Sequence, residues 1–168
     1  CEHFFDGYRR NGQYGIKLLQ VAHEAGAEVG VLCDTNGGSL PSFIFAVTQD
    51  VISRTNMRIG IHAQDDTACA VANTIAAIEA GATHAQCTAN GYGERTGNAD
   101  LFSVIANLET KLGIVALPHG QLAESVRVSH AIAEIANLAP NSHQPYVGVS
   151  AFAHKAGLHA SALRVKSE

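Results

Sequence analysis

One order of residues recurs along this chain and leaves it few folds to adopt. An apolar, β-branched run is followed by a polar cluster and then by a stretch with helical spacing. The runs are Glu28-Val29-Gly30-Val31-Leu32-Cys33, Arg58-Ile59-Gly60-Ile61-His62 and, more weakly, His84-Ala85-Gln86-Cys87-Thr88. Leu40, Phe43, Ile44, Val47 and Val51 keep the spacing of an amphipathic helix, with Ser39 placed to cap it before Pro41. Val71, Ile75 and Ile78 mark a second helix. Leu101, Val104, Ile105, Leu108 and Leu112 mark a third, ended by Gly113. Glu24-Ala25-Gly26-Ala27 before the first strand returns as Glu79-Ala80-Gly81-Ala82 before the third, so a helix closes on glycine and turns into a strand in both places. Such alternation predicts parallel strands joined by right-handed crossovers.

The polar clusters choose between an open sheet and a closed barrel. They are Asp34-Thr35-Asn36-Gly37-Gly38, His62-Ala63-Gln64-Asp65-Asp66 and Thr88 through Arg95, one at the end of every strand. An open sheet gathers its ligand groups at one switch point, whereas every barrel strand feeds one mouth. The expected fold is therefore α/β: the C-terminal half of a (β/α)8 barrel over residues 1–117, then a small helical linker subdomain over 118–168. Three strands and a remnant strand around Cys1–Phe5 are about half of a barrel of roughly 250 residues, so the chain is expected to lack the barrel's N-terminal part. Val31 and Ile61 are expected inside the barrel. After residue 118, Val126, Ala131, Ile132, Ile135 and Leu138 predict one long helix stopped by Pro140, a loop over 141–145, and an extended stretch with a His-bearing turn from Tyr146 to Leu163.

Composition excludes several classes. The 168 residues are 46% apolar and 15% charged, a balance that folds. A net charge of -4 and the absence of Trp leave no basic or stacking surface for nucleic acid. No apolar run reaches the roughly 18 residues of a membrane span, and the opening Cys1–Asp6 is not a signal peptide. Cys1, Cys33, Cys69 and Cys87 form no C-x-x-C pair, which suits reduced thiols in a cytoplasmic protein.

Each cluster carries a structural reading and a chemical one. Glu2 is either a solvated charge or a carboxylate at a strand end. Asp34-Thr35 either caps a helix or presents the Thr35 hydroxyl to a substrate carboxylate or carbonyl. His62, with Gln64 two residues on along the same face, can begin a divalent-metal site, while Asp65 and Asp66 also suit a helix N-terminus. Gly91, Gly93, Glu94 and Arg95 lie in a long polar loop whose amides can approach an anion, with Asp100 a cap for the next helix. His154 and His159 stand in a Gly-flanked stretch, in a surface turn or as a proton-transfer group.

Together, from Glu2-His3-Phe4-Phe5-Asp6-Gly7 to Ala153-His154-Lys155-Ala156-Gly157-Leu158-His159, these clusters resemble the acetyl-CoA-dependent 2-oxo acid synthases, a family of 2-isopropylmalate, homocitrate and citramalate synthases related to 3-hydroxy-3-methylglutaryl-CoA lyase. The wording is most similar to the citramalate branch. The resemblance implies an acyltransferase of branched-chain amino-acid biosynthesis, an oligomer that joins acetyl-CoA to a 2-oxo acid such as pyruvate. It implies a divalent metal, magnesium or manganese before zinc or cobalt, held by His62, Gln64 and Asn98. It also implies that Glu2 and Thr35 line the 2-oxo acid, that Glu2 and His159 are catalytic, with His159 acting in a partner subunit, and that the Gly91–Arg95 loop meets acetyl-CoA. Two positions depart from the family pattern: Gln64 replaces a second metal-binding His, and Ser161 replaces an Asp two residues after His159. The family's Arg-Asp pair lies outside the chain, so the 168 residues alone are expected to be inactive. The alternatives are a 2-isopropylmalate or homocitrate synthase, or a silent half-barrel acting only by association.

Overall fold

Over residues 1–154, which the computed structural model describes, the three apolar runs become one parallel sheet in the order β1 (Val29–Asp34), β2 (Arg58–Ala63), β3 (His84–Gln86). Helices α1 (Phe4–Glu24), α2 (Pro41–Arg54), α3 (Ala70–Glu79) and α4 (Leu101–Lys111) alternate with the strands. These elements make up one compact unit, Cys1–Pro118, and a second begins at His119.

Register decides which side chains meet. Leu32 pairs with Ile61 and Ile61 with Ala85; Cys33 pairs with His62 and His62 with Gln86. Side chains of paired residues in parallel strands share a face, and neighbours along a strand alternate. Leu32, Ile59, Ile61 and Ala63 therefore form one face, in a common core with Leu19 of α1, Ile44, Val47 and Val51 of α2, and Ala76 and Ala77 of α3. Each large side chain so buried contributes about 1.5–3 kcal/mol. The opposite face carries Val31, Cys33, His62 and Gln86. The expectation for Ile61 is corrected here: it is 0% exposed and packs among the helices, while Val31 and His62 occupy the other face.

The remnant strand over Cys1–Phe5 shrinks to one residue. The amino group of Cys1 donates to the Val31 carbonyl at 2.8 Å, and the Cys1 carbonyl accepts from Cys33 N at 3.1 Å, one step of a parallel ladder. His3 then turns the chain with φ 51°, and α1 begins at Phe4. Phe5, with 0% exposure, belongs to the helical core instead. α1 is two helical pieces joined at Asn11, whose side chain accepts from Tyr14 N at 3.2 Å and restarts the helix.

Two further expectations change. Ser39 does not cap α2; Leu40 holds the N-cap position with no side-chain bond, and the Ser39 hydroxyl donates to Asp34 Oδ1 at 2.9 Å. On α3 the buried face is Ala70, Asn73, Thr74, Ala76 and Ala77, with Val71, Ile75 and Ile78 only half-buried beside it. Small side chains let the helix backbone lie close to its neighbours, so its larger residues are displaced to the rim. The two glycine closings match the expectation. Gly26 N donates to His23 O and Ala27 N to Ala22 O; Gly81 N donates to Ile78 O and Ala82 N to Ala77 O. This paired bonding satisfies the last carbonyls of a helix when the next residue is left-handed, as Gly26 and Gly81 are at φ 100° and 111°.

In the second unit, helix α5 spans Ser125–Ile135. It ends before Pro140, by the same paired bonding, with Asn137 at φ 54° and Leu138 N donating to Ala133 O at 3.0 Å. From Tyr146 to Ala153 the chain forms turns rather than the extended stretch expected. His130 Nε2 lies 3.1 Å from the carbonyl of buried Val147 and ties these turns to α5. Among the described residues no helix is long and apolar enough to cross a membrane, and all four cysteines are free thiols.

Candidate active site at the strand ends

Because Cys1 sits in the ladder, Glu2 comes to the face that carries Cys33 and His62. Thr35, just past the end of β1, donates from Oγ1 to Glu2 Oε2 at 2.8 Å, while His3 N donates to the same hydroxyl at 2.7 Å. The Thr35 hydrogen bond holds the Glu2 carboxyl below the ordinary carboxylate range, against a smaller opposing effect of burial. A hydroxyl has one proton to donate, and in this structure that proton is committed to Glu2 rather than offered to a substrate. Asp34, on the helix-packed face, is 2% exposed and binds Ser39 through both N and Oγ. Burial pushes its carboxyl up, opposed by the two Ser39 bonds.

His62, Gln64 and Asn98 are brought together by main chain. Residues 97–99 run antiparallel to the end of β2: Asp65 N donates to Gly97 O at 2.9 Å and Ala99 N to Ala63 O at 3.1 Å, which sets Gln64 opposite Asn98. His62 Nδ1, Gln64 Oε1 and Asn98 Oδ1 are buried, and no group among the described residues bonds them. Buried polar atoms without partners are costly, so two amide oxygens and an imidazole nitrogen at neighbouring strand ends suit a cation. Thr88 Oγ1, at the end of β3, is also unbonded, as are Thr48 Oγ1 and Asn73 Oδ1 within the helices. Among the described residues no group of three or more His, Cys, Asp or Glu gathers to hold a metal. The candidate donors here are one imidazole and two amide oxygens, with no carboxylate or thiolate among them.

The glycine loop is built around Asn98. A Cβ on Gly93 would lie 2.0 Å from Asn98 Nδ2, and one on Gly97 would lie 2.1 Å from the Gly91 carbonyl. Gly91 N donates to Thr88 O, and its carbonyl accepts from Asn98 N. The Gly91 amide expected to approach an anion is thus committed within the loop. Arg95 is committed too, by a fork to both oxygens of Asp66 at 2.8 and 2.9 Å and a bond to the Thr35 carbonyl at 2.7 Å. Glu94 projects with 82% side-chain exposure. Asp65 Oδ1 accepts from Ala70 N, and Asp100 caps α4 through Phe102 N and Ser103 N, both in the helix-capping sense. The Asp66–Arg95 pair had no local signal, since its members are 29 residues apart. His159 lies outside the described residues.

Comparison with known proteins joins these clusters to one lineage. The HMGL-like family model matches residues 5–138.

The chain belongs to the HMGL-like family.

An (R)-citramalate synthase of Streptomyces coelicolor is 67% identical over 98% of this chain and 31% of its own length. A probable 2-isopropylmalate synthase of Methanosarcina acetivorans is 34% identical over 97% of this chain and 31% of its own. The chain thus spans about a third of the curated relatives it matches. Among solved structures, the Bacillus subtilis HMG-CoA lyase superposes with a TM-score of 0.64 and 25% identity, over 73% of this chain and 43% of that one. The α/β fold is that of an HMG-CoA lyase-like barrel, of which the described residues form a part. Dependence on a divalent metal is general in the HMGL-like family.

Proposed function

We propose that the full-length protein condenses acetyl-CoA with a 2-oxo acid and hydrolyses the resulting thioester, so that pyruvate, acetyl-CoA and water give citramalate and free CoA. The observation that carries this reading is the 67% identity to an (R)-citramalate synthase across 98% of the chain. The cluster of Glu2, Thr35, His62, Gln64 and Asn98 at neighbouring strand ends supports it.

A divalent metal held through His62, Gln64 Oε1 and Asn98 Oδ1 would polarise the keto group of the 2-oxo acid. Two oxygen donors to one imidazole favour magnesium or manganese over zinc or cobalt. Because none of the three is a carboxylate or thiolate, the anionic ligand comes from another part of the protein, as the resemblance implies. Glu2 is ionised near neutrality and is a weak base, since Thr35 favours its charged form. Its part is to accept a hydrogen bond and orient the reacting carbon, not to remove a methyl proton. That proton falls to a stronger base, for which His159 is the candidate, acting across an interface between two copies of the chain. The Gly91–Arg95 loop, which seats Asn98, is the part of the chain assigned to meet acetyl-CoA.

The test is free-CoA release by the full-length enzyme with acetyl-CoA and, separately, pyruvate, 2-oxoisovalerate and 2-oxoglutarate. Release that depends on pyruvate and is lost on chelation is expected. Release with only a longer 2-oxo acid reassigns the branch. No release with any of the three overturns the synthase reading.

A further inference from the structure

We propose that Arg95 is a positioning residue, a latch across the loops after all three strands that holds Thr35 against Glu2. The inference rests on the synthase reading for its kinetic test but not for its geometry. Thr35 follows β1, Asp66 follows β2 and Arg95 follows β3. Its guanidinium reaches both other residues, with Nε and Nη2 on the two Asp66 oxygens and Nη2 on the Thr35 carbonyl. A planar fork fixes direction as well as distance, which an ammonium cannot do. Arg95 itself has φ 56°, a conformation that L side chains adopt at a cost and keep only where their surroundings hold them. The first loop is moulded on the same carboxylate. A Cβ on Gly37 would stand 2.4 Å from Asp66 Oδ2 and 2.8 Å from Asp66 N, and Thr67 Oγ1 donates to the Gly37 carbonyl at 2.8 Å.

Exposure then says what the latch is for. The side chains of Arg95 and Asp66 are 41% and 26% exposed, and ion pairs so open to water add little to stability. What the fork contributes is the place of the Thr35 peptide, and through it the Thr35–Glu2 hydrogen bond. Misplacing a reacting or orienting group by about 1 Å can cost on the order of 100-fold in rate. Loss of the latch should therefore be read in turnover while the melting temperature hardly moves.

The experiment is a double-mutant cycle on kcat in the full-length enzyme, with Arg95→Gln, Thr35→Ala and the two combined. Arg95→Gln is expected to lower kcat about tenfold or more, with a smaller change in KM for the 2-oxo acid. The double variant should be no slower than Thr35→Ala alone. Arg95→Lys, which keeps the charge without the fork, should recover little. Effects that multiply, or a kcat unchanged in Arg95→Gln, would overturn the latch. Should Arg95→Gln not fold, Asp66→Asn, which removes half of the fork, enters the same cycle. Amide hydrogen exchange over Thr35–Gly38 reads the latch without any reaction. Faster exchange in Arg95→Gln supports it, and unchanged exchange sinks it. A wild-type enzyme that releases no CoA while its variant exchanges faster would sink the synthase reading alone.

Discussion

Replacing Gly93 by alanine isolates the seat of Asn98 from every other feature of the loop. Gly91 and Gly97 have φ of 68° and 99°, so any substitution there also strains the backbone. Gly93 lies outside the left-handed region, and its Cβ would simply collide, at 2.0 Å from Asn98 Nδ2 and 2.9 Å from Asn98 Cγ. Ordinary van der Waals contact begins near 3.4 Å, so the amide must retreat by more than 1 Å or rotate away. Its bond to the Tyr92 carbonyl, 3.2 Å long, goes with it. The collision costs about 1–3 kcal/mol, as overpacking does elsewhere, less whatever the exposed loop recovers by shifting. The greater effect falls on Oδ1. A metal that loses one neutral oxygen, or has it displaced, should bind about 10–100-fold more weakly. Calorimetric titration of the full-length apoenzyme with manganese reads this directly, with Asn98→Ala as the reference. Equal affinity in Gly93→Ala and the wild type, with Asn98→Ala weakened, would refute the steric account. Equal affinity in all three would remove Asn98 from the metal site.

Other perturbations separate the roles of neighbouring groups. His62→Ala in the full-length enzyme should abolish turnover and leave the fold intact by circular dichroism; near-normal turnover with added manganese would remove His62 from the site. Gln64→His should strengthen zinc and cobalt binding over magnesium, and identical titrations of both forms would show that residue 64 does not touch the metal. Asp34 gives a pH signature. Its folded-state carboxyl is raised above the ordinary 3.8 by burial, so the associated stability is present below that value and is lost as pH rises through the folded pKa. The melting temperature of Asp34→Asn relative to wild type should therefore climb from pH 3.5 to neutrality, and a flat difference would contradict it. Burial pushes the Cys87 thiol up to about 11, leaving roughly one part in a thousand as thiolate at pH 8. Iodoacetamide should label exposed Cys1 and spare Cys87, as peptide mass analysis will show.

The parallel sheet and both glycine closings were legible because their signals are local: β-branched runs a few residues long and a Glu-Ala-Gly-Ala tetrad. The strand-end rule set Thr35, His62 and Gln64 toward one mouth as an expectation, and Glu2 joined them only through the family resemblance; in the structure Thr35 donates to Glu2 at 2.8 Å. Three things were not legible. α1 was hidden by Gly7, Gly12, Gly15 and Asn11, which break its period. In the structure, Gly12 and Gly15 leave room for the rings of Tyr8 and Phe4, about where a Cβ would press at 3.0 and 3.1 Å. The inward side of β2 was misjudged at Ile61 because alternation is symmetrical; pairing shows that Leu32, Ile61 and Ala85 share a face, and only packing with Leu19, Ile44 and Val47 shows that this face meets the helices. The partner of Arg95 could not be read at all. Its fork depends on where three loops meet, and no spacing along the chain encodes that.

The pairing of Gln64 with Asn98 has a consequence for how such a site can change. Their separation is gauged by two main-chain bonds, Asp65 to Gly97 and Ala99 to Ala63, which do not involve either side chain. The backbone works as a caliper with interchangeable jaws. A lineage can swap the donor at position 64 by a single codon, imidazole for amide, without resetting the gap the donors span. Under the proposed metal site, a change of donor at position 64 would alter metal preference while the main-chain spacing between positions 64 and 98 is kept.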